Sequence, residues 1–369
     1  MKNSNTYVAI MAGGIGSRFW PASRVERPKQ FMDILGVGKS LIRLTFERFL
    51  KLTPAENIFI VTNEIYKELC KEHIPEITDN QILCEPSRNN TAPCVAYTAF
   101  KLQALNPEAN FIIAPSDHVV LKEDIFVEAL LKALDFTARE DALCTLGIRP
   151  SRPDTGYGYI NYEQNNVEPA HENVNIGGVH KVIQFTEKPD QDKAKAFLAS
   201  GDYLWNAGIF IWRTKSILAA FQQNAQEIYE ILSKGDAVYN TPGEQDFINE
   251  HYPTTPKISV DYAIMEKAKN IYTIPADFGW SDLGTWGSLH AESDQDEYGN
   301  VLQGDNIVIH EVTNSLVRVP KNKLVVLRDI DNYIIVDEED VLMIYPKSKE
   351  QEIKTVTEQL KDSGQKGYL

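Results

Sequence analysis

Over residues 1–150 the chain alternates between short, nearly unbroken apolar runs and stretches whose apolar positions recur every three or four residues. YVAIMAG (7–13), NIFIVTN (57–63), QILCEP (81–86), NFIIAPSD (110–117) and ALCTLGI (142–148) are of the first kind. Continuous runs of that length, rather than strict alternation, predict strands of a sheet covered on both faces. SLIRLTFERFLKL (40–52), TAPCVAYTAFKLQAL (91–105) and IFVEALLKALDFTARE (125–140) are of the second kind and predict helices. In the last of these, Phe126, Leu130, Ala133 and Leu134 share one face. Strands and helices alternating through short links predict an α/β fold with a doubly wound, Rossmann-like mixed sheet.

The middle third is less regular. GYGYINYE (156–163) and VHKVIQFTEKP (179–189) predict half-buried strands around a polar loop, WNAGIFIWR (205–213) another strand, and KSILAAFQQNAQEIYEILSK (215–234) one long helix. These insertions are expected to form a lid over one end of the sheet. Beyond residue 293, short β runs separated by turn residues at roughly regular intervals predict a small β-rich module resembling a few coils of a β-solenoid. KEQEIKTVTEQLKD (349–362) closes the chain as an amphipathic helix, with Ile353, Val356 and Leu360 on one face and Gly364 as its stop. The expected division is therefore a catalytic domain over 1–292 and a C-terminal β-rich module with a terminal helix over 293–369.

Composition narrows the partners. A chain of 369 residues with 43% hydrophobic positions can bury two cores. Its 37 Lys plus Arg against 52 Asp plus Glu give a net charge of −15, which argues against a nucleic acid polymer or an anionic membrane. A single small anion can still be held by a few local cations. No apolar run approaches the roughly 20 residues of a membrane span. The start, MKNSNTYVAIMAGG, has too short an apolar core for a secretory signal. Cys70, Cys84, Cys94 and Cys144 form no CxxC pair, so reduced thiols in a cytoplasm are expected rather than a structural zinc site.

Candidate chemistry begins at AGGIGSRFWPASRVERPKQF (12–31), where three glycines precede Arg18 and Lys29. A dinucleotide fingerprint requires GxGxxG, but Gly14 and Gly16 are followed by Phe19 at the third position. A Walker loop requires GxxxxGK[ST]; GKS stands at 38–40, but Asp33 occupies the first glycine's place. A plain structural turn remains open. So does a loop whose bare N–H groups wrap a nucleoside triphosphate while Arg18 and Lys29 neutralise its phosphates. The two cations favour the last reading.

GGIGSRFWPASRVERPKQF resembles the signature of the sugar-1-phosphate nucleotidyltransferases. Its RFWPxSRxxxPKQF form resembles the mannose-1-phosphate guanylyltransferases (GDP-mannose pyrophosphorylases) in particular. The resemblance extends through EPSRNNTAP (85–93), APSDH (114–118), GYGYI (156–160), FTEKP (185–189), WNAGIF (205–210) and GWSDLGTW (279–286), and so covers most of the chain. Some members of the family carry a C-terminal isomerase domain with a metal-binding cupin. This chain ends before such a domain, and its tail lacks the His and Glu cluster, so it resembles the short, single-activity form.

The resemblance implies the nucleotidyltransferase fold and transfer of GMP from GTP to mannose 1-phosphate. A phosphate oxygen attacks the α-phosphorus in line, so positioning and charge neutralisation matter rather than a general base. Ala12, Gly13, Gly14, Gly16 and Ser17 would wrap the triphosphate, with Arg18 on the leaving pyrophosphate and Lys29 where the phosphates meet. Asp117 lies at the carboxyl end of a predicted strand, where open α/β sheets bind ligands. With Asp282 it would hold Mg²⁺, which suits two carboxylates plus phosphate oxygens. Ser116 falls on the nucleotide side and Asp282 also on the sugar-phosphate side. Glu85 would accept from guanine N1–H and the N2 amino group. Asn89, Asn90 and Thr91 would add contacts or simply cap the helix from 91. Gly156 and Gly158 would let the backbone approach the pyranose, Glu187 and Asn206 meet hydroxyls, and Lys188 the sugar phosphate. His118 is expected to be structural, Trp205, Trp280 and Trp286 to pack, and Asp261 in DYAIMEK (261–267) to cap a helix without a catalytic role.

Two alternatives stay open. One is a related enzyme with another sugar or nucleotide, against which Glu85 and the PKQF form speak. The other is a non-catalytic regulatory homologue that binds GDP-mannose, which should have lost Arg18, Lys29 or an aspartate. A homodimer is expected, with apolar runs such as KLVVL and NYIIV at or near its interface.

Overall fold

A computed structural model describes residues 5–369, and the apolar runs at the start of the chain assemble there into one nine-stranded sheet. β1 (Thr6–Met11), β2 (Ile58–Asn63), β3 (Ile82–Glu85) and β4 (Asn110–Pro115) lie parallel in the order β3-β2-β1-β4. β1 sits between Ile58–Val61 and Asn110–Pro115, and Tyr7–Ile10 are buried. Its unbroken apolar character thus reflects cover on both faces. The three expected helices form over Leu41–Phe49, Thr91–Leu105 and Glu123–Arg139. In the last, Phe126, Leu130, Ala133 and Leu134 are buried as the spacing predicts, with Glu123 and Asp124 in the first turn and Arg139 in the last, complementing the helix dipole. The helix Thr91–Leu105 is buried on all sides from Ala92 to Leu102.

The middle third departs from expectation. Tyr203–Arg213 is not part of a lid. It is a central strand, antiparallel to both β4 and Leu143–Ile148. The strands Tyr159–Glu168 and Val179–Thr186 extend the same sheet to its edge, joined through Ile271–Pro275, a strand the sequence reading passed over. The long helix is two, Thr214–Asn224 and Gln226–Leu232. No Gly or Pro marks the break. The Asn224 side-chain amide turns back onto the Ala220 carbonyl (2.9 Å), the competition for backbone partners that makes Asn a poor interior helix residue.

By packing, the chain falls into two units, each discontinuous in sequence. The first holds the chain up to Gly13, Thr45–Ser116 and Val120–Trp280; the second holds Gly14–Leu44, Asp117–Val119 and Ser281–Leu369. The second unit has its own core of Phe19, Trp20, Trp286, Leu289, Val301, Leu316, Ile334, Val336 and Ile353. Phe19 and Trp286 pack at 4.9 Å between ring centroids, and Trp286 Nε1 donates to the Trp20 carbonyl (3.2 Å). The signature segment is therefore built into the same core as the C-terminal residues.

The C-terminal residues are β-rich, but the expected solenoid is corrected. They form two small sheets. Val301–Gln303, Leu316–Arg318, Tyr333–Asp337 and Leu342–Pro346 make one, Ile307–Thr313 and Val325–Asp331 the other. Parallel pairing such as Leu316↔Ile334 and Ile307↔Val325 accounts for the regular turn spacing. Leu342–Pro346 then returns antiparallel to Tyr333–Asp337, so coils do not go on stacking in one direction. The terminal helix runs Ile353–Asp362; Ile353 is buried, with Val356 and Leu360 against the same core. No helix among the described residues is long and apolar enough to cross a membrane.

Candidate active site

In the second unit the glycine loop is shaped around Lys29. Gly16 has φ +73°, a conformation that favours glycine, and a Cβ there would stand 2.6 Å from Lys29 Cβ. The Lys29 N–H donates to the Ile15 carbonyl (3.1 Å), and Gln30 Nε2 donates to the Gly14 carbonyl (2.9 Å). PKQF thus folds back onto the loop that precedes it. Lys29 is only 3% exposed. Its Nζ donates to Asp117 Oδ2 (3.0 Å) and to the Asp282 backbone carbonyl (2.9 Å), and lies 5.3 Å from the Phe19 ring centroid. Ser17 and Arg18, in the turn that follows Gly16, are less enclosed, Arg18 being exposed.

The structure therefore gathers Lys29, Asp117 and Asp282 from three distant stretches of sequence. Burial pushes the Asp117 carboxyl up, but the Lys29 ammonium and the neighbouring His118 outweigh it and hold it below its ordinary 3.8. Asp282 sits in a tight loop: its Oδ1 accepts from the Gly284 N–H (3.0 Å), and buried Leu283 is held at φ +46°. A non-glycine residue in that region is the kind of local strain found at functional sites. The GKS segment is nothing of the sort. Asp33 accepts from the N–H groups of Val37 (2.9 Å) and Gly38 (2.7 Å), so the loop's own carboxylate occupies the donors a phosphate would need.

In the first unit, Ala12 is buried, its N–H on the Val61 carbonyl and its carbonyl under Thr62 Oγ1. A Cβ on Gly13 would stand 3.6 Å from Glu85 Oε2. Glu85 ends β3, is 9% exposed, and accepts a short hydrogen bond from the Tyr252 hydroxyl. Burial pushes its carboxyl up to about 7, offset in part by hydrogen bonds from Tyr252 and Cys94. Asn89 is buried, and its amide is occupied by the Tyr252 and Thr255 carbonyls and Thr255 Oγ1, so it fixes the turn bearing Tyr252. Asn90 accepts from Thr91 N–H as the helix cap, and Thr91 Oγ1 accepts from Val260 N–H. The buried Ser116 N–H donates to the Met11 carbonyl (3.0 Å).

A second polar cluster forms around Gly158 in the same unit. A Cβ there would stand 2.7 Å from Glu187 Oε2 and 3.3 Å from Asn206 Cβ. Asn206 lies on the central strand, paired with Gly147 where the register shifts between Thr145 and Gly147. Such a bulge re-aims side chains. Its Oδ1 accepts from Thr145 Oγ1 and Gly208 N–H, and its Nδ2 donates to Asp261 Oδ1 (3.1 Å). Lys188, at φ +45°, forms a close ion pair with Glu187. Gly156 is not drawn in; it lies in an exposed turn on Asp154 (2.8 Å). Trp205 and Trp280 flank the Tyr157 ring at 5.0 and 5.2 Å, as packing residues do.

Two residues in these clusters were not anticipated. Tyr252 had no signal, since HYPTTP reads as an ordinary loop. Asp261 had one, its place in DYAIMEK, and was read as a helix cap. It instead opens a π-helical turn over Asp261–Met265, in which Glu266 N–H reaches back to the Asp261 carbonyl (2.9 Å). Burial, with Glu187 beside it, pushes the Asp261 carboxyl up to about 7.

The sequence profile of the nucleotidyl transferase family matches residues 7–299. A mannose-1-phosphate guanylyltransferase of Klebsiella pneumoniae is 34% identical over 364 residues, 97% of this chain and 74% of that protein. One from Escherichia coli is 34% identical over 372 residues, 99% of this chain and 75% of that protein. The crystal structure of a mannose-1-phosphate geranyltransferase from Thermus thermophilus superposes with a TM-score of 0.84 at 29% identity, over 97% of this chain and 99% of that one.

Proposed function

The chain belongs to the nucleotidyl transferase family, and from that premise we propose that it transfers GMP from GTP to mannose 1-phosphate. The substrate pair follows the guanylyltransferases that match nearly its whole length. The observation that carries the chemistry is the buried Lys29 ammonium held between Asp117 and the Asp282 segment. A phosphate oxygen of mannose 1-phosphate bonds to the α-phosphorus of GTP as the bond from that phosphorus to the β-bridging oxygen breaks. Pyrophosphate leaves, GDP-mannose forms, and no proton has to move. Along the sequence we assign the catalytic domain to 1–292 and the β-rich module to 293–369, although by packing Gly14–Leu44, Asp117–Val119 and 281–292 fall in the same unit as that module.

The roles follow from chemistry. Ala12, Gly13, Gly14, Gly16 and Ser17 present backbone to the triphosphate. Arg18 clamps the leaving pyrophosphate with its planar fork of donors, and Lys29 stabilises charge at the α-phosphate. Asp117 and Asp282 would hold Mg²⁺. The donor set fits: a magnesium shared with substrate takes one or two carboxylates and leaves its other positions to phosphate and water. Among the described residues no group of three or more His, Cys, Asp or Glu is arranged to cage a metal. When bound, the ion would neutralise phosphate charge. Glu85 reads guanine; Glu187, Lys188 and Asn206 serve the sugar phosphate. Pyrophosphate release from GTP plus mannose 1-phosphate, with ATP, UTP and glucose 1-phosphate as controls, tests the proposal; no release with the first pair overturns it.

Base reading should depend on pH. Guanine offers two donors, which only the ionised Glu85 can accept together. The groups facing Glu85, the Tyr252 hydroxyl and the Cys94 thiol, are both neutral. With the unliganded carboxyl at about 7, KM for GTP should fall about tenfold between pH 6 and pH 8 and level off above. Glu85→Gln should flatten that profile and lower kcat/KM for GTP by about ten- to a hundredfold, the loss of a charged hydrogen bond. An unchanged GTP-to-ATP preference in the variant would move base recognition elsewhere.

A homodimer in the cytoplasm is also part of the proposal. Val308 and Val326, partners across the two-stranded sheet, are both exposed, Val326 at 61%, as are Leu324, Leu342 and Ile344. Apolar side chains gathered on one small module support its use as an interface. The four cysteines are free and buried, in keeping with a reducing compartment. Light scattering at micromolar concentration is expected to give the mass of two chains, and Val326→Lys that of one. A single-chain mass for the unmodified protein would count against the dimer.

A further inference from the structure

The Gly158 cluster contains one carboxylate more than the fold has use for. Glu187 stands close enough to oppose the ionisation of Asp261, yet the cation paired there, Lys188, is bound to Glu187. Asp261 has neutral donors instead: the Asn206 amide at 3.1 Å, the Ser259 hydroxyl and a backbone N–H. An asparagine at 261 would satisfy the same neighbours without the repulsion. Placing two acceptors of charge side by side is stabilised by a ligand that brings several O–H donors and no charge of its own at that end, which is the description of a pyranose ring.

We propose that Asp261 is a sugar-contacting residue that determines specificity, accepting a ring hydroxyl beside the one bound by Glu187. This rests on the reading that the chain uses mannose 1-phosphate. Three elements converge to make the contact. The π-helical turn over Asp261–Met265 presents Asp261, the bulged central strand presents Asn206, and the end of Val179–Thr186 presents Glu187. Gly158 is the floor on which they meet, since any Cβ there would collide with the Glu187 carboxylate at 2.7 Å. Asn206, with its Oδ1 held by Thr145 and Gly208, cannot flip its amide. Its Nδ2 therefore points one Asp261 oxygen in a fixed direction and leaves the carboxylate oriented before the sugar arrives. Burial, with Glu187 beside it, is what pushes the Asp261 carboxyl up to about 7. A sugar differing at the hydroxyl Asp261 reads would leave a half-buried carboxylate without its donor, which is how a hydrogen-bonding site rejects an analogue.

The test is a cycle between protein and substrate. Wild type and Asp261→Asn are assayed for kcat/KM with mannose 1-phosphate and its 2-, 3-, 4- and 6-deoxy analogues, and for KM of GTP. One analogue should cost the wild type about ten- to a hundredfold. The variant should lose a similar factor on mannose 1-phosphate, show no further loss on that same analogue, and keep its KM for GTP. Losses that multiply for all four analogues, or a KM for GTP that rises in step, would overturn the inference and leave Asp261 as a prop for Asn206. Asp261→Glu, which keeps the charge and displaces the oxygens, takes the place of the Asn variant if circular dichroism shows that one unfolded. It should discriminate poorly among the same sugars. Failure of the wild type to turn over mannose 1-phosphate would instead overturn the substrate reading and this inference with it.

Discussion

Lys29→Ala is expected to lower kcat about 10²–10³-fold, the cost of removing one preorganised donor from developing charge, while KM for GTP moves only a few fold. The structure gives the reason for that split. Lys29 Nζ is already held at 3.0 Å from Asp117 and 2.9 Å from the Asp282 carbonyl, and its stem lies so close to Gly16 that a Cβ there would stand 2.6 Å from Lys29 Cβ. A charge fixed in advance needs no reorganisation when the phosphates approach, so its contribution appears mainly in the transition state. Arg18 is exposed and free to adapt. Arg18→Lys, which keeps the charge and loses the fork, should therefore raise KM for GTP as well as slow turnover. Steady-state kinetics with a coupled pyrophosphate assay separates the two. If Lys29→Ala turns over at the wild-type rate with GTP saturating, PKQF is scaffolding and the lysine has no part in the chemistry.

The parts of this molecule that could be read from sequence are those where local pattern and tertiary role agree. β1 to β4 are apolar along most of their length because both faces are covered, and little else about them had to be known. Tyr203–Arg213 was recognisable as a strand for the same reason, but its place between β4 and Leu143–Ile148 was not, since strand order is set by pairings between distant segments. Regular turn spacing near the C-terminus suggested stacked coils, and only the direction of Leu342–Pro346 shows otherwise. At the site the division is similar. Lys29, Asp117 and Asp282 could be picked out by residue type and motif, but the single ammonium joining all three segments could not. Asp261 was set aside because an acidic residue opening a helical run reads as a cap. The five-residue backbone step that turns it toward Asn206 leaves no mark in the sequence.

Asp282→Asn is expected to lower turnover by about three orders of magnitude, several kcal/mol of lost phosphate-charge stabilisation, with the protein still folded. The substitution is unusually clean because of how the loop is made. Asp282 meets Lys29 through its backbone carbonyl, which a change of side chain does not touch. Its Oδ1 accepts from Gly284 N–H, and an asparagine oxygen can accept the same bond. Leu283 at φ +46° and Gly284, where a Cβ would stand 2.8 Å from Asp282 Oδ2, keep the loop closed around an isosteric group. What is lost is one negative charge and one anionic oxygen. Asp117→Asn is the contrasting case, because there Lys29 loses a charged partner and its own placement should suffer too. The two variants should therefore differ in thermal stability, Asp117→Asn being the less stable, and agree in weakened Mg²⁺ binding. Calorimetric titration of Mg²⁺ in the presence of GTP reads that binding without relying on turnover, and excess EDTA should abolish activity in the unmodified protein. Full activity in EDTA, or an Asp282→Asn protein that binds Mg²⁺ as tightly as the wild type, would remove Asp282 from the metal site and leave it a structural loop residue that holds Gly284 and lends its carbonyl to Lys29.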